Sequence, residues 1–305
     1  MLQVIFLGTA GSLPTPDRSL PAILVNREGD LLLFDCGEGT QRQMMIARTG
    51  MMRLSHIFLT HLHADHILGI PGLLETMAFQ GRENPLVIAG PPRTARMVSI
   101  LNGLGCCVRD FEIRVLEMRP GDSVRMSGYT VTAIATQHSV PSLGYVLLED
   151  MRPGRFNRER AIEIGVPVGP LFGRLQRGES VEIDGRVVRP EDVLGAPRPG
   201  RKIVYSGDTR PTNEIEEASR NADLLIHDGA LADDMIDWAV ETKHTTAGEA
   251  AALAARAGVR RLVLTHISSR YSEDTTPLLN DARKIFPETM IASDLMRIEV
   301  PLRDA

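Results

Sequence analysis

Four side chains of the kinds that bind divalent metal ions lie close together in the run HLHADH, which starts at His61. The apolar segment before it, residues 57–60, predicts a β-strand. Alternation along an extended chain puts His61 and His63 on one side, and a turn into a helix can bring the other two ligands beside them. Neutral imidazoles at this density suit zinc, and the carboxylate of Asp65 beside His66 supplies charge that a second cation needs. The spacing therefore predicts a metal site with room for two ions.

Four further candidates stand where predicted strands end, which is where a shared site of an α/β protein is usually built. They are His138 after residues 131–136, Asp208 after residues 203–205, His244 in the run KHTT, and His266 after residues 262–265. Together with the first cluster, they place six of the eight histidines in strand-end loops. The other two, His56 and His227, are interpreted as structural residues, since His227 ends an apolar run that predicts a buried strand.

Short apolar segments bounded by glycine, proline or polar residues recur along the chain and predict β-strands. They cover residues 4–7, 22–25, 31–34, 57–60, 86–89, 113–116, 129–135, 145–148, 203–205, 224–227 and 261–265. Segments with helical periodicity fall between them, at residues 39–48, 67–79, 93–104, 213–220, 246–257 and 277–286. This alternation predicts the α/β class, and the similar pattern of the two halves fits two layers that face each other.

Residues 151–200 separate the two halves and differ from both in composition. They have no long apolar run, and residues 151–177 carry six arginines against two glutamates. This stretch predicts a surface insertion, which is either a solvated loop without a role or a local basic patch.

The composition excludes several classes of protein. With 305 residues, 43% hydrophobic and 24% charged, the chain can bury a core and is neither disordered nor fibrous. A net charge of -5 gives no general reason to expect nucleic-acid binding, which must then rest on a local patch. Three cysteines, Cys36, Cys106 and Cys107, are too few for a disulfide framework and suggest a reducing cytosol. Without a positively charged leader or an apolar run of roughly 18 residues, we expect a cytoplasmic protein with no membrane contact.

The order of the candidate ligands resembles the signature of the metallo-β-lactamase superfamily, HxHxDH followed by His138, Asp208 and His266. Narrower motifs resemble the ribonuclease Z family within it. These are FLGTAG at residues 6–11, DCGEGTQ at 35–41, YSGDTRP at 205–211 and HTT at 244–246, with GPLFG at 169–173 and LQRGE at 175–179 matching that family's tRNA-binding arm. Two segments depart from the family pattern: residues 14–19 read PTPDRS instead of PxKxRN, and residues 227–231 read HDGAL instead of HEATF. We therefore assign no role to residues 227–231.

The resemblance implies a fold and a ligand set. The fold is a four-layer αβ/βα sandwich, formed by residues 1–305 as one domain, with residues 151–200 inserted as a flexible arm. The cofactors are two zinc ions. By motif matching, the first zinc takes His61, His63 and His138, the second takes Asp65, His66 and His266, and Asp208 bridges them. Asp65 also accepts the proton of the attacking water, and His244 stabilises the phosphorane or protonates the leaving 3′ oxygen.

The resemblance also implies a substrate. The family removes the 3′ trailer from precursor tRNA and leaves a tRNA 3′ hydroxyl and a trailer 5′ phosphate. The arm would hold the tRNA, and a homodimer would let one subunit's arm present it to the other's cleft. The arm residues expected to bind are Arg152, Arg155, Arg158, Gly169, Pro170, Arg174 and Arg177.

Two other functions remain open from the residues. A small-molecule hydrolase or phosphodiesterase of the same superfamily would use the same metals but would not need an arginine-rich arm. A non-catalytic RNA-binding member would keep the arm and lose ligands. All seven ligand positions are filled, which argues against the second alternative.

Overall fold

The computed structural model describes residues 1–104 and 110–303, so Cys106 and Cys107 lie outside the described residues. The chain divides into two compact units. The first consists of Met1–Leu147 and Lys202–Pro301, and the second of Leu148–Arg201 with the C-terminal residues after Pro301. The remaining cysteine, Cys36, is buried in the first unit.

The strands and helices follow the predicted alternation. The strands are β1 (Leu2–Gly8), β2 (Ala10–Gly11), β3 (Ala22–Arg27), β4 (Asp30–Phe34), β5 (Leu54–Phe58), β6 (Leu86–Gly90), β7 (Ile113–Glu117), β8 (Ser123–Met126), β9 (Tyr129–Ala135), β10 (Leu143–Glu149), β11 (Val181–Ile183), β12 (Arg186–Val188), β13 (Lys202–Tyr205), β14 (Leu224–Asp228), β15 (Leu262–Thr265), β16 (Ile267–Ser268), β17 (Thr289–Ile291) and β18 (Arg297–Glu299). The helices are α1 (Thr40–Ile46), α2 (Ala64–Ile67), α3 (Gly69–Phe79), α4 (Thr94–Asn102), α5 (Arg158–Glu163), α6 (Pro170–Gln176), α7 (Asn213–Ser219), α8 (Ile236–Thr242), α9 (Ala247–Ala257) and α10 (Thr276–Ile285).

Two seven-stranded sheets form the centre of the first unit. Their orders are β18-β1-β3-β4-β5-β6-β7 and β17-β15-β14-β13-β10-β9-β8. In the first sheet, β4, β5, β6 and β7 run parallel, and in the second β13, β14, β15 and β17 run parallel. Parallel neighbours end at the same edge, so the loops that follow β5, β13, β14 and β15 are available to build a site.

The layers follow from residue alternation along the strands. On β1, Val4 and Phe6 face a core that both sheets share, whereas Ile5 and Leu7 face a second core that includes residues of α1, α3 and α4. A third core joins the outer face of the other sheet to α7, α9 and α10. Strands buried on both faces explain why the sequence shows continuous apolar runs. The expected four-layer αβ/βα sandwich is confirmed.

An aromatic cluster holds the two sheets together near the candidate ligands. The rings of Phe34 and Phe58, on the first sheet, stack with centroids 5.3 Å apart. Tyr145 of the second sheet lies 5.3 Å from Phe58, and Tyr205 lies 6.2 Å from Phe34. The Tyr145 hydroxyl donates to the Leu59 carbonyl oxygen at 2.6 Å. These contacts join the two sheets where β5 leads into the HLHADH run.

Several elements differ from the sequence prediction. The helix expected over residues 67–79 is two helices, α2 and α3, so that Asp65 and His66 already lie on a helical turn. The short strands β8, β17 and β18 and helix α8 were not predicted. Three- and four-residue strands bury too few side chains to produce a periodic signal, and α8 carries exposed Ile236, Trp238 and Val240 that blur its amphipathic pattern.

The second unit has its own small core. Helices α5 and α6 and the β11–β12 hairpin bury a cluster of small and branched residues, namely Ala161, Val166, Leu175, Val181, Val188 and Val193. The ends of this unit are joined by a buried ion pair, in which the Arg201 guanidinium donates to both Glu149 oxygens at 2.7 Å. The predicted insertion is therefore a folded element, while its role as a tRNA-binding arm stays a prediction.

The Glu149–Arg201 pair leads to a stability prediction. Glu149→Ala leaves a buried guanidinium without its carboxylate, so we expect the free energy of unfolding to fall by about 3 to 5 kcal/mol. Urea denaturation measures this. Glu163→Ala removes an exposed ion pair with Arg160 and serves as the matched control, with no measurable change expected. Equal midpoints for Glu149→Ala and the parent would show that the pair does not stabilise the fold.

Candidate metal centre and active site

The structure brings the eight candidate side chains of the first unit into one cluster at the strand ends. The HLHADH run leaves β5, with His61 fully buried and His63 in extended conformation just before α2. Asp208 and His266 follow β13 and β15. His138 follows β9, and His244 lies between α8 and α9. The two sheets thus bring together side chains that are up to about 200 positions apart in the sequence.

The ligand atoms of the described residues form four overlapping groups. Two of these contain Asp208, with His61 and His66 in one and His244 and His266 in the other, and the remaining two have the residues predicted for the two metal sites. In the first of the remaining two, His61 Nε2 lies 3.0 Å from His63 Nδ1, and His138 Nε2 lies 3.4 Å from the same atom. In the second, Asp65 Oδ2 lies 3.5 Å from His66 Nε2 and 3.7 Å from His266 Nε2. Within each group, all ligand atoms lie within 4.8 Å of one another.

Asp208 stands between the two groups. Its Oδ2 atom lies 3.1 Å from His266 Nε2, 3.4 Å from His66 Nε2 and 3.8 Å from His61 Nε2. Among the described residues, Asp208 Oδ1 and the Nε2 atoms of His66 and His266 are buried without a hydrogen-bond partner. Buried polar atoms that converge without partners are the donor set expected of a metal site, so these residues fit metal ions.

The electrostatics favour the metal-binding forms of several ligands. Burial, with the neighbouring His66, holds the pKa of His61 well below its usual value, so this imidazole is neutral. Burial acts to raise the pKa of Asp208, but attraction to His266 and His66 outweighs it and holds the pKa well below the usual range. Burial acts to raise the pKa of Asp65, but the close approach of His266 and the charge of His66 outweigh it and lower the pKa. Neutral imidazole and ionised carboxylate are the species that bind cations.

Asp35 orients the ligands from behind. It is fully buried, and its carboxylate accepts hydrogen bonds from the Thr60 amide at 2.8 Å and the Tyr205 hydroxyl at 2.8 Å. Asp35 Oδ2 lies 2.9 Å from His66 Nδ1, which turns the opposite nitrogen toward Asp208. The Thr60 hydroxyl contacts Asp35 and also lies 3.0 Å from His61 Nδ1. One carboxylate thus positions two ligands that lie in separate groups.

Other backbone contacts fix the remaining ligand loops. His138 Nδ1 lies 3.2 Å from the Lys243 carbonyl oxygen, an acceptor that holds the opposite nitrogen toward His63. Beside His266, the chain passes Gly11 so closely that a Cβ there would lie 2.6 Å from the His266 carbonyl oxygen. A side chain at Gly11 would displace this ligand, which explains a glycine in the FLGTAG motif.

His244 is held by a carboxylate that the sequence did not single out. Asp228 Oδ2 lies 2.8 Å from His244 Nδ1. Burial lowers the pKa of His244, but the charge and hydrogen bond of Asp228 overcome this and raise it to about 9. The imidazole ring lies 5.0 Å from that of His266, so a protonated nitrogen stands at the edge of the ligand cluster. Asp228 ends β14, between β13 and β15 whose ends carry Asp208 and His266, and this strand-end position was the available signal.

The two histidines interpreted as structural lie outside the ligand groups found among the described residues. His56 is half-buried and stacks on Phe58 with centroids 5.7 Å apart. His227 is fully buried, and its Nδ1 lies 2.7 Å from the Asp228 carbonyl oxygen. Residues 227–231, to which we assigned no role, therefore place the carboxylate that holds His244.

The predicted arm residues occupy different positions on the second unit. Arg155 and Arg158 line a surface cavity with Phe156, Phe172 and Arg198. Arg174 and Arg177 both pair with Glu179, at 3.0 and 3.1 Å. Arg152 donates to the Arg303 carbonyl oxygen at 2.9 Å, and Gly169 precedes Pro170, the first residue of α6. The basic side chains are therefore distributed over the unit, and part of their charge is neutralised.

The support that Asp35 gives to the ligands can be tested directly. Asp35→Asn keeps the shape but removes the charge facing His66, so we expect metal affinity to fall by about 10- to 100-fold. Competition with a chelator measures the affinity. Asp30→Asn alters the half-buried carboxylate at the start of β4, which accepts a hydrogen bond from the Tyr129 hydroxyl at 2.9 Å, and should leave metal affinity unchanged. Equal affinities of the two variants would contradict the assignment.

Comparisons with known proteins identify relatives of the whole chain. The family description "Beta-lactamase superfamily domain" matches residues 184–267, and "Anti-Pycsar protein Apyc1" matches residues 2–152. Ribonuclease Z of Methanosarcina acetivorans is 60% identical over 303 residues, 99% of each chain. Ribonuclease Z of Archaeoglobus fulgidus is 48% identical over 301 residues, 98% of each.

A solved structure agrees with these relatives. The crystal structure of the short form of human tRNase Z is 29% identical, covers 98% of this chain and 100% of its own, and superposes with a TM-score of 0.73. The metallo-β-lactamase fold protein YhfI of Bacillus subtilis, at 19% identity and a TM-score of 0.70, shares the fold. With relatives at this identity over nearly its full length, the chain belongs to the ribonuclease Z family.

Proposed function

We propose that this protein is a zinc-dependent endoribonuclease that removes the 3′ trailer from precursor tRNA, leaving a tRNA 3′ hydroxyl and a trailer 5′ phosphate. The observation that carries the proposal is the pair of ligand groups on either side of Asp208, with His244 at their edge. Membership of the ribonuclease Z family supports the substrate, since the relatives carry that name over the whole length of the chain.

Two zinc ions fit the two ligand groups. His61, His63 and His138 would hold one ion, Asp65, His66 and His266 would hold the other, and Asp208 would bridge them. When bound, a pair of zinc ions would lower the pKa of a water and would neutralise charge on the phosphate oxygens. All donors are imidazole nitrogens or carboxylate oxygens, which zinc accepts.

Asp65 and His244 would handle the protons. Asp65 is the more accessible of the two carboxylates, with 14% of its side chain exposed against 3% for Asp208, so it can accept the proton of the attacking water. His244 is anchored to Asp228 through Nδ1, which leaves Nε2 to donate a proton to the leaving 3′ oxygen or to stabilise charge at phosphorus.

The second unit would bind the tRNA away from the cut. The candidate catalytic and ligand residues all belong to the first unit, whereas the arginine-rich stretch belongs to the second. Phosphate contacts position a nucleic acid without reading its sequence, which suits an arm that must accept many tRNAs. In a homodimer, the arm of one subunit would present the tRNA to the cleft of the other.

The proposal includes a cytoplasmic location, because the substrate is precursor tRNA. Separately, none of the described helices combines the length and apolar character required to cross a bilayer.

The metal content provides the first test of the proposal. We expect about two zinc ions per chain after mild dialysis, because seven ligands supply two adjacent sites. Elemental analysis of the purified protein measures this. Asp65→Ala should lose zinc and abolish cleavage of precursor tRNA, since it removes a ligand and a proton acceptor together. A stoichiometry of one or none that ligand variants do not change would refute the two-ion site.

The role of His244 is tested by separating turnover from metal content. His244→Ala should reduce kcat by about 10²- to 10⁴-fold, the usual loss for one general acid, while zinc content stays the same. Asp228→Asn should lower kcat less and leave KM unchanged, because the imidazole remains but is held less firmly. His56→Gln is the control and should retain parental turnover. Full turnover of His244→Ala on precursor tRNA would show that the catalytic assignment is wrong.

Deletion of the arm separates an RNA-processing enzyme from a small-molecule hydrolase. Replacing Pro153–Glu191 with a short Gly/Ser bridge should raise KM for precursor tRNA steeply while zinc content and hydrolysis of a small phosphodiester stay nearly intact. Binding should weaken as salt rises, with a shallower slope in the deletion. If the deletion processes tRNA as well as the parent does, the arm is a passive insertion. Cleavage of a lactam but not of precursor tRNA by the parent would favour the alternative function.

A further inference from the structure

A cavity of about 300 Å³ lies on the first unit beside the ligand cluster. His244 and His266 form part of its wall, so it opens onto the region where the phosphate would be cut. The rest of its wall comes from segments that neither bind metal nor transfer protons in the proposed reaction. These are Gly11–Leu13, Ala230–Leu231, Trp238 and Thr242 of α8, and Ser268–Arg270.

Trp238 and Arg270 distinguish this wall chemically. Trp238 is 41% exposed, which is unusual for so large an aromatic side chain, and it faces the cavity. The Arg270 guanidinium lies over the indole ring, with its carbon 5.8 Å from the ring centre, so that the opposite face of the ring is the one available for stacking. An aromatic face with a cation beside it, next to serine hydroxyls, is the combination that binds a base and its phosphate in single-stranded RNA.

Helix α8 connects this wall rigidly to the active site. Ala239, next to Trp238, is fully buried and packs in a small core with Ala230 and Leu231. Its carbonyl oxygen accepts a hydrogen bond at 2.9 Å from the amide of His244. A base held on Trp238 would therefore be placed at a fixed distance from the histidine that faces the leaving oxygen. A base held in this way would help to position the scissile phosphate for reaction and would also contribute to RNA binding.

We propose that this cavity is a nucleobase subsite, in which a base next to the scissile phosphate stacks on Trp238 while Arg270 contacts the sugar-phosphate backbone. The inference rests on the proposed function, because it assigns a position to one nucleotide of the same RNA. The base belongs either to the last nucleotide of the mature tRNA or to the first nucleotide of the trailer. Stacking accepts any base, so the subsite selects an unpaired nucleotide rather than a sequence.

The test combines Trp238→Ala with precursor tRNAs that lack the base at one of these two positions. Loss of one stacked base corresponds to about a 5- to 140-fold loss of affinity. We expect Trp238→Ala to raise KM by this factor on intact precursor tRNA, and Trp238→Phe to restore most of the affinity. The abasic RNA that matches the stacked position should raise KM for the parent, with no further rise for Trp238→Ala. If removal of the base at one position and the Trp238→Ala substitution have no additive effect on KM, the base that stacks on Trp238 is the one at that position.

Fluorescence gives a second readout, because Trp238 is the only tryptophan in the chain. In stopped-flow mixing, intact precursor tRNA should quench its emission before cleavage, and the matching abasic RNA should not. Val240→Ala alters an exposed residue of the same helix and is the matched control, with parental KM expected. Zinc content and melting temperature of Trp238→Ala should equal those of the parent.

Three outcomes would overturn the subsite. Trp238→Ala could have the same KM as Val240→Ala, it could raise KM equally on intact RNA and on both abasic RNAs, or intact RNA could leave the tryptophan emission unchanged. A parent enzyme that does not cut intact precursor tRNA at all would instead refute the proposed function, so the two failures are distinguishable.

Discussion

Asp35 directly follows β4, and its carboxylate is buried between the two sheets. Its backbone is in a left-handed conformation (φ 58°) that aspartate tolerates. An ionised carboxylate there is costly unless every oxygen is hydrogen-bonded. The Thr60 amide and hydroxyl and the Tyr205 hydroxyl meet this requirement, and His66 Nδ1 lies 2.9 Å from Asp35 Oδ2. Because these partners come from both sheets and from the HLHADH run, the charge of Asp35 fixes the geometry of the ligand cluster.

Burial of this charge also affects its neighbours. Burial and the Asp35 carboxylate hold the pKa of Tyr205 well above its usual range, so the phenol stays protonated and keeps donating. For His66, burial lowers the pKa, but Asp208 on one side and Asp35 on the other raise it well above the usual value. Asp228 acts in the same way on His244. A buried carboxylate behind an imidazole thus occurs twice in this site, and each carboxylate holds one ring nitrogen, so that the other nitrogen is left for the cluster.

The sequence predicted those features that depend on local spacing. The HLHADH run, the buried strands and the strand-end positions of Asp208 and His266 are all local patterns, and the structure brings these residues together. Two carboxylates behind the rings were not assigned. Asp35 acts on Tyr205, 170 positions away, and Asp228 acts on His244 across the turn that α8 creates. The strand-end position of Asp228 was a local signal, but which ring each carboxylate contacts depends on which elements become neighbours in the fold, and local spacing does not contain that information. The core of the second unit was also missed, because Val166, Leu175, Val181 and Val188 are too widely spaced to show a period.

We propose that the two ligand groups direct water to phosphorus at the 3′ end of tRNA. The most direct measurement is an end-group analysis of precursor tRNA cut by the purified protein. Attack by water with departure of the 3′ oxygen predicts a mature tRNA with a 3′ hydroxyl and a trailer with a 5′ phosphate. A tRNA that ends in a 2′,3′-cyclic phosphate, with a trailer 5′ hydroxyl, would contradict the account, because those ends require attack by the neighbouring 2′ hydroxyl instead.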